Sequence, residues 1–141
     1  MLPKSIVYYQ AMIIKTLSEP NKKSFWIASF WTLLILFLSF KNPSNIPNID
    51  IPNIDKVVHF MFYFVFVFLW YRYLYFLKKT KTIYVFILVV IAILLGILIE
   101  FGQECFTLTR QADFFDVVAN SLGSIVGVFM SFILMNKERF K

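Results

Sequence analysis

Seven residues combine reactive side chains with spacings that share helix faces: Asp55, His59, Glu100, Gln103, Arg110, Asp116 and Asn120. His59 is the single histidine and stands four residues after Asp55 in Asp55-Lys56-x-x-His59. Residues four apart meet on one helix face. His59 lies just inside an apolar run, where an ionisable group is costly and tends to mark a site rather than an incidental interfacial hydrogen bond. An imidazole there can act as a general base, oriented by Asp55 or Glu100. Glu100 follows another apolar run, in Glu100-Phe101-Gly102-Gln103-Glu104. Desolvation penalises its charged form, and a nearby cation offsets that penalty. Arg110 suits bidentate binding of phosphate or carboxylate, and a salt bridge to Glu104, Asp113 or Asp116 is the competing use of it. Asp113 fits a helix N-cap, Asp116 follows in the first turn, and Asn120 lies one turn deeper, where a buried amide needs partners.

Two chemistries fit these residue types. One is binding, with Arg110 gripping an anion and His59, Gln103 and Asn120 supplying hydrogen bonds. The other is hydrolysis or group transfer, with His59 and Glu100 as acid and base and Arg110 stabilising developing negative charge. No serine, cysteine or threonine stands at a fixed spacing to His59, so that chemistry calls for a water nucleophile. A divalent cation on His59, Glu100, Glu104 and Asp116 would activate one. A lone imidazole among carboxylates favours magnesium or manganese over zinc. One Cys and one His exclude the usual Cys/His zinc clusters, and Cys105 alone allows no intramolecular disulfide. No other cofactor is indicated.

The elements that must position these residues follow from composition. Of 141 residues, 60% are hydrophobic and only 16% charged, and Phe alone contributes 18. Mean hydropathy is +0.74. A soluble domain is about half apolar and about a quarter charged. A domain this small has too little interior to hide the excess, so a lipid-exposed surface is implied. The net charge of +6 then records topology and contact with anionic lipid rather than nucleic-acid binding.

Four apolar runs, at about 25–40, 57–77, 83–99 and 117–135, each approach the roughly 20 residues of a spanning helix. Backbone groups in lipid must be satisfied within the segment, so the runs are helices. The expected architecture is an all-α integral membrane bundle of four transmembrane helices over residues 25–135. A segment 1–24 precedes it and a short tail 136–141 follows. In the N-terminal segment Leu2, Ile6, Tyr9, Ile13 and Leu17 recur at helical spacing, which leaves open an interfacial helix, a short span or a disordered arm. It does not read as a cleaved signal peptide. Between the first two runs, Ile-Pro-Asn-Ile-Asp occurs twice in tandem from Ile46 to Asp55, and its prolines exclude a regular helix and favour a stiff loop. On the fourth run, Asp116, Asn120, Gly123 or Ser124, Gly127 and Ser131 form one stripe, whose small residues allow close helix approach.

Charge orients the bundle. Eleven of the fourteen basic residues fall in the N-terminal arm, the second connection and the C-terminal tail. The positive-inside rule therefore places both termini in the cytoplasm. Six of the eight acidic residues, including Asp55, Glu100, Asp113 and Asp116, fall on the outward side.

Asp55-Lys56-x-x-His59, Glu100-x-x-Gln103, Arg110 and Asp116-x-x-x-Asn120-x-x-Gly123-x-x-x-Gly127, in this order over residues 55–130, resemble the VanZ-like family. The chain departs from the family's pattern at Phe60-Met61-Phe62-Tyr63, where small residues are usual. The resemblance implies a bacterial cell-envelope membrane protein of about four helices, with a link to resistance to the glycopeptide teicoplanin. It does not imply a reaction. Binding of an envelope lipid headgroup or cell-wall precursor in an outward-facing polar pocket ranks above membrane-embedded catalysis. Transport ranks last, since no ionisable residue falls at the midplane of the first, third or fourth run. Besides the bilayer and that ligand, a protein partner or a homo-oligomer remains open, and nucleic acid is not expected.

Overall fold

An apolar chain in lipid satisfies its backbone groups within each segment, and this chain does so with helices. The computed structural model describes residues 20–41, 52–106 and 112–136. The N-terminal amphipathic stretch, most of the Ile-Pro-Asn-Ile-Asp repeat, Arg110 and the tail lie outside the described residues. Within them the elements are α1 (Pro20–Phe40), α2 (Ile54–Phe76), α3 (Thr82–Phe106) and α4 (Phe114–Asn136). They hold 21, 23, 25 and 23 residues. At about 1.5 Å per residue each is about 32 to 38 Å long, enough to cross a hydrocarbon core of about 30 Å. All four are also apolar enough to span a membrane, and no strand occurs among the described residues.

Helix boundaries differ from the apolar runs for local reasons. α1 begins at Pro20, before the apolar residues start, because proline fits the first helical position. α2 starts after Asn53, whose φ of 61° places it in the left-handed region. α2 stops at a Schellman turn: Lys78 takes φ 57°, Lys78 N–H donates to the Tyr75 carbonyl, and Lys79 N–H donates to that of Leu74, both at 2.9 Å. α3 runs seven residues past the apolar run, to Phe106, and so carries Glu100, Gln103 and Glu104 on regular helix. α4 is capped as expected, with Phe115 N–H donating to Asp113 Oδ1 at 2.8 Å.

The most intimate seam joins α2 to α4. A Cβ on Gly123 would stand 2.2 Å from the Phe60 carbonyl oxygen, and one on Gly127 2.7 Å from that of Phe64. Only glycine lets these backbones approach so closely, which is how helices associate in lipid without a hydrophobic driving force. The whole stripe Asp116, Asn120, Gly123, Ser124, Gly127 and Ser131 is buried in the bundle. α1 clasps the other flank of α2: Trp31 Nε1 donates to the Phe62 carbonyl at 3.1 Å, and Trp70 Nε1 to Thr32 Oγ1 at 3.1 Å. Large side chains such as Phe30, Phe37, Phe86, Leu98 and Phe129 are exposed outward, as lipid contact requires.

Candidate functional site

Three helix ends meet at one end of the bundle. α2 brings Lys56 and His59 from its first turns, α3 brings Glu100 near its last turns, and α4 brings Asp116 and Asn120 from its start. The glycine seam sets the distance between α2 and α4. Gly96 lets α3 close in, since its added Cβ would lie 3.0 Å from Asn120 Nδ2.

His59 is the centre. Its Nδ1 lies 3.2 Å from Asn120 Oδ1 and 3.5 Å from Glu100 Oε1. Its Nε2 lies 3.7 Å from Asp116 Oδ2. The surroundings are dry: Glu100 is 3% exposed, Asp116 8% and Asn120 1%. Several polar atoms here are buried without a hydrogen-bond partner, namely Glu100 Oε1, Asp116 Oδ1, Asn120 Nδ2 and the Tyr63 hydroxyl one turn below His59. Buried polar atoms in proteins are normally paired, so such a group asks for an explanation.

Around the rim the governing residue is Lys56. Its ammonium contacts Asp113 Oδ2 at 2.8 Å, Asp55 Oδ2 at 2.9 Å and Asp116 Oδ1 at 3.5 Å. It ties the start of α2 to the cap of α4. The Lys56 ammonium, with the Phe115 amide second, holds the Asp113 carboxyl below its ordinary value of 3.8.

The structure brings His59, Glu100, Asp116 and Asn120 together and places the other expected residues differently. Asp55 is turned to Lys56, so the carboxylates beside His59 are Glu100 and Asp116. Gln103 is buried, but its Nε2 donates at 2.8 Å to the Ser39 carbonyl of α1 and holds two helices together. Glu104 is exposed and belongs to neither of the acidic groups of this end. Arg110 lies outside the described residues. Sequence reasoning gave Lys56 no role. Its signal was nonetheless present, as a rare cation on the acidic side within the histidine motif. Tyr63 was missed because an aromatic residue in a Phe-rich run looks like core.

The arrangement can exchange protons through His59, and it offers more negative than positive groups. Asp55, Glu100, Asp113 and Asp116 surround Lys56 and His59. Two sets of residues can each present ligand atoms within 4.8 Å of one another: His59, Glu100 and Asp116, and Asp55, Asp113 and Asp116.

Comparison with known proteins gives one finding. The VanZ/LLP1 family model matches residues 5–135, nearly the whole chain. No curated protein and no solved structure matches it.

Proposed function

This chain belongs to the VanZ/LLP1 family, and from that premise we propose that it holds the polar headgroup of an envelope lipid or cell-wall precursor at the His59 cluster. The observation that carries the reading is the convergence of half-buried His59 with buried Glu100, Asp116 and Asn120 from three helices, with polar atoms left without hydrogen-bond partners among them. The surrounding surface suits an amphiphile. Phe101, Phe106, Phe114 and Phe115 are exposed beside the cluster at 64 to 83%, so acyl or isoprenoid chains can lie against them while the head turns inward. Arg110, on the connection that leads to α4, would grip an anionic group of the ligand. The charge bias of the loops supports a bacterial cytoplasmic membrane location, with both termini inside and this end outward. A contribution to teicoplanin resistance belongs to the same reading.

The test is direct binding to purified protein, using lipids with phosphate, phosphoglycerol or phosphoethanolamine heads. One head class should bind saturably, and His59→Ala or Arg110→Glu should weaken it at least about tenfold, the equivalent of about 1.4 kcal/mol. Unchanged binding in both variants rejects the assignment.

A second reading has one specific support, the imidazole of His59 flanked by the carboxylates of Glu100 and Asp116 at 3.5 and 3.7 Å. In a membrane-embedded hydrolase or transferase His59 would take a proton from water and Glu100 would return one to the leaving group. Release of a cleaved headgroup during the binding assay, lost in His59→Ala, separates this reading from binding alone.

A further inference from the structure

The headgroup reading leaves an electrostatic conflict at its centre. The ligand's phosphate would enter a site where four carboxylates face one lysine, and that lysine already contacts three of them. A second conflict lies in the imidazole itself. Neutral histidine has one N–H and one lone pair. Here Nδ1 faces the oxygens of Asn120 and Glu100, and Nε2 faces an oxygen of Asp116. Whichever nitrogen carries the hydrogen, the other points its lone pair at an acceptor. The Glu100 and Asp116 oxygens that lack hydrogen-bond partners belong to residues more than nine-tenths buried. Each of these mismatches is removed by one positive centre among the same atoms.

We propose that His59, Glu100 and Asp116, with the amide oxygen of Asn120, hold a divalent cation of the magnesium or manganese class that receives the phosphate of the headgroup. The inference rests on the headgroup reading for its second half and on geometry for its first. Bonds of about 2.1 Å around a six-coordinate ion set neighbouring ligand atoms about 3 Å apart and opposite ones about 4.2 Å apart. With Nδ1 as the imidazole donor, its separations of 3.2 Å from Asn120 Oδ1 and 3.5 Å from Glu100 Oε1 lie within that span, and one atom from each of the three ionisable residues falls within 4.8 Å of the others. The donors are mostly oxygens, which suits hard cations over zinc. Nε2, left to carry the hydrogen, faces the Asp116 carboxylate 3.7 Å away. Helices from three directions fix the donors, so the site does not depend on a loop. Lys56 stands at the rim, where it limits the charge of Asp116 without occupying the ion's place.

The experiment uses the full chain in phosphatidylcholine nanodiscs, stripped with EDTA and titrated with Mn2+ under electron paramagnetic resonance. The expected result is one saturable Mn2+ per chain, with nitrogen hyperfine coupling from an imidazole. Near-isosteric Glu100→Gln and Asp116→Asn should each weaken binding at least tenfold, and His59→Gln should abolish the nitrogen coupling. Glu104→Gln, outside the cluster, should bind as wild type. Absence of saturable Mn2+, Mn2+ without nitrogen coupling, or full affinity in Glu100→Gln overturns the site. So does a nitrogen NMR spectrum in which His59 stays an imidazolium or keeps both nitrogens hydrogen-bonded while diamagnetic Mg2+ is in excess. Binding of the phosphate-headed lipid is then measured with EDTA and with Mn2+. Equal binding in both overturns the bridging role and leaves the headgroup reading standing. Mn2+ binding with no lipid binding overturns the headgroup reading and leaves the cation site standing.

Discussion

The seam between α2 and α4 changes character along its length. In its deeper part polar groups are satisfied within the protein: Ser124 Oγ donates to the Asn120 carbonyl at 2.8 Å, and Ser131 Oγ to that of Gly127 at 2.7 Å. Close backbone contact at Gly123 and Gly127 does the rest. At the His59 end the same two helices bury Asn120 Nδ2 without a hydrogen-bond partner and Asp116 Oδ1 with only the Lys56 ammonium 3.5 Å away. Among the described residues the other buried side-chain atoms without a hydrogen-bond partner are Glu100 Oε1 and the Tyr63 hydroxyl at this same end and Ser24 Oγ near the start of α1. Asn120 and Glu100, 1% and 3% exposed, are nearly as dry as the deep serines at 0%, so burial alone does not explain the difference. In lipid a polar group kept without a partner is expensive. The deeper seam is built for association, and the His59 end keeps the polar atoms that the proposed ligand would meet.

The contrast can be broken most sharply at the seam. Gly123→Ala places a methyl 2.2 Å from a backbone oxygen that cannot swing aside, so it should cost about 3 kcal/mol of stability. Gly96→Ala, which meets the Asn120 side chain, Nδ2 at 3.0 Å and Cβ at 3.3 Å, but no backbone, should cost less, about 1 kcal/mol. Thermal unfolding in detergent compares them, and equal costs would mean that the seam does not hold the helices together. The His59 end should respond in the opposite sense. In EDTA-stripped protein, Glu100→Gln removes a buried carboxyl group and should stabilise by about 1 kcal/mol. Ser131→Ala removes a satisfied hydroxyl and should destabilise by up to about 1 kcal/mol. A destabilising Glu100→Gln would make the cluster a structural network. The smallest effect lies at the rim. Asp113 is held below its ordinary 3.8 by Lys56, so its contribution to stability is complete above about pH 4 and fades as pH falls through the lower folded-state value. The melting difference between wild type and Asp113→Asn should therefore be flat from neutrality to about pH 4 and shrink below it.

How far the sequence carries can be judged residue by residue. Four spans were legible because an apolar run of spanning length has one stable conformation in lipid. The Asp113 cap was legible because capping is local. The buried face of α4 was legible because its small and polar residues recur at helical spacing. The hydrogen bond of Gln103 to α1 was not legible because its spacing from Glu100 says nothing about α1. Of the two acids expected to orient His59, Glu100 stands beside it and Asp55 turns to Lys56, a choice that a shared helix face does not decide.

The sequence by itself determined that this is a four-span membrane protein with its acids gathered at one end, since those features depend on composition and local period. The tertiary structure alone decided which acids reach His59, that Lys56 binds three carboxylates at once, and that several buried polar atoms face one another unpartnered. These are relations between residues as much as 61 positions apart. They are set by how closely glycine allows α2 and α4 to approach, and no periodicity within one helix encodes that distance.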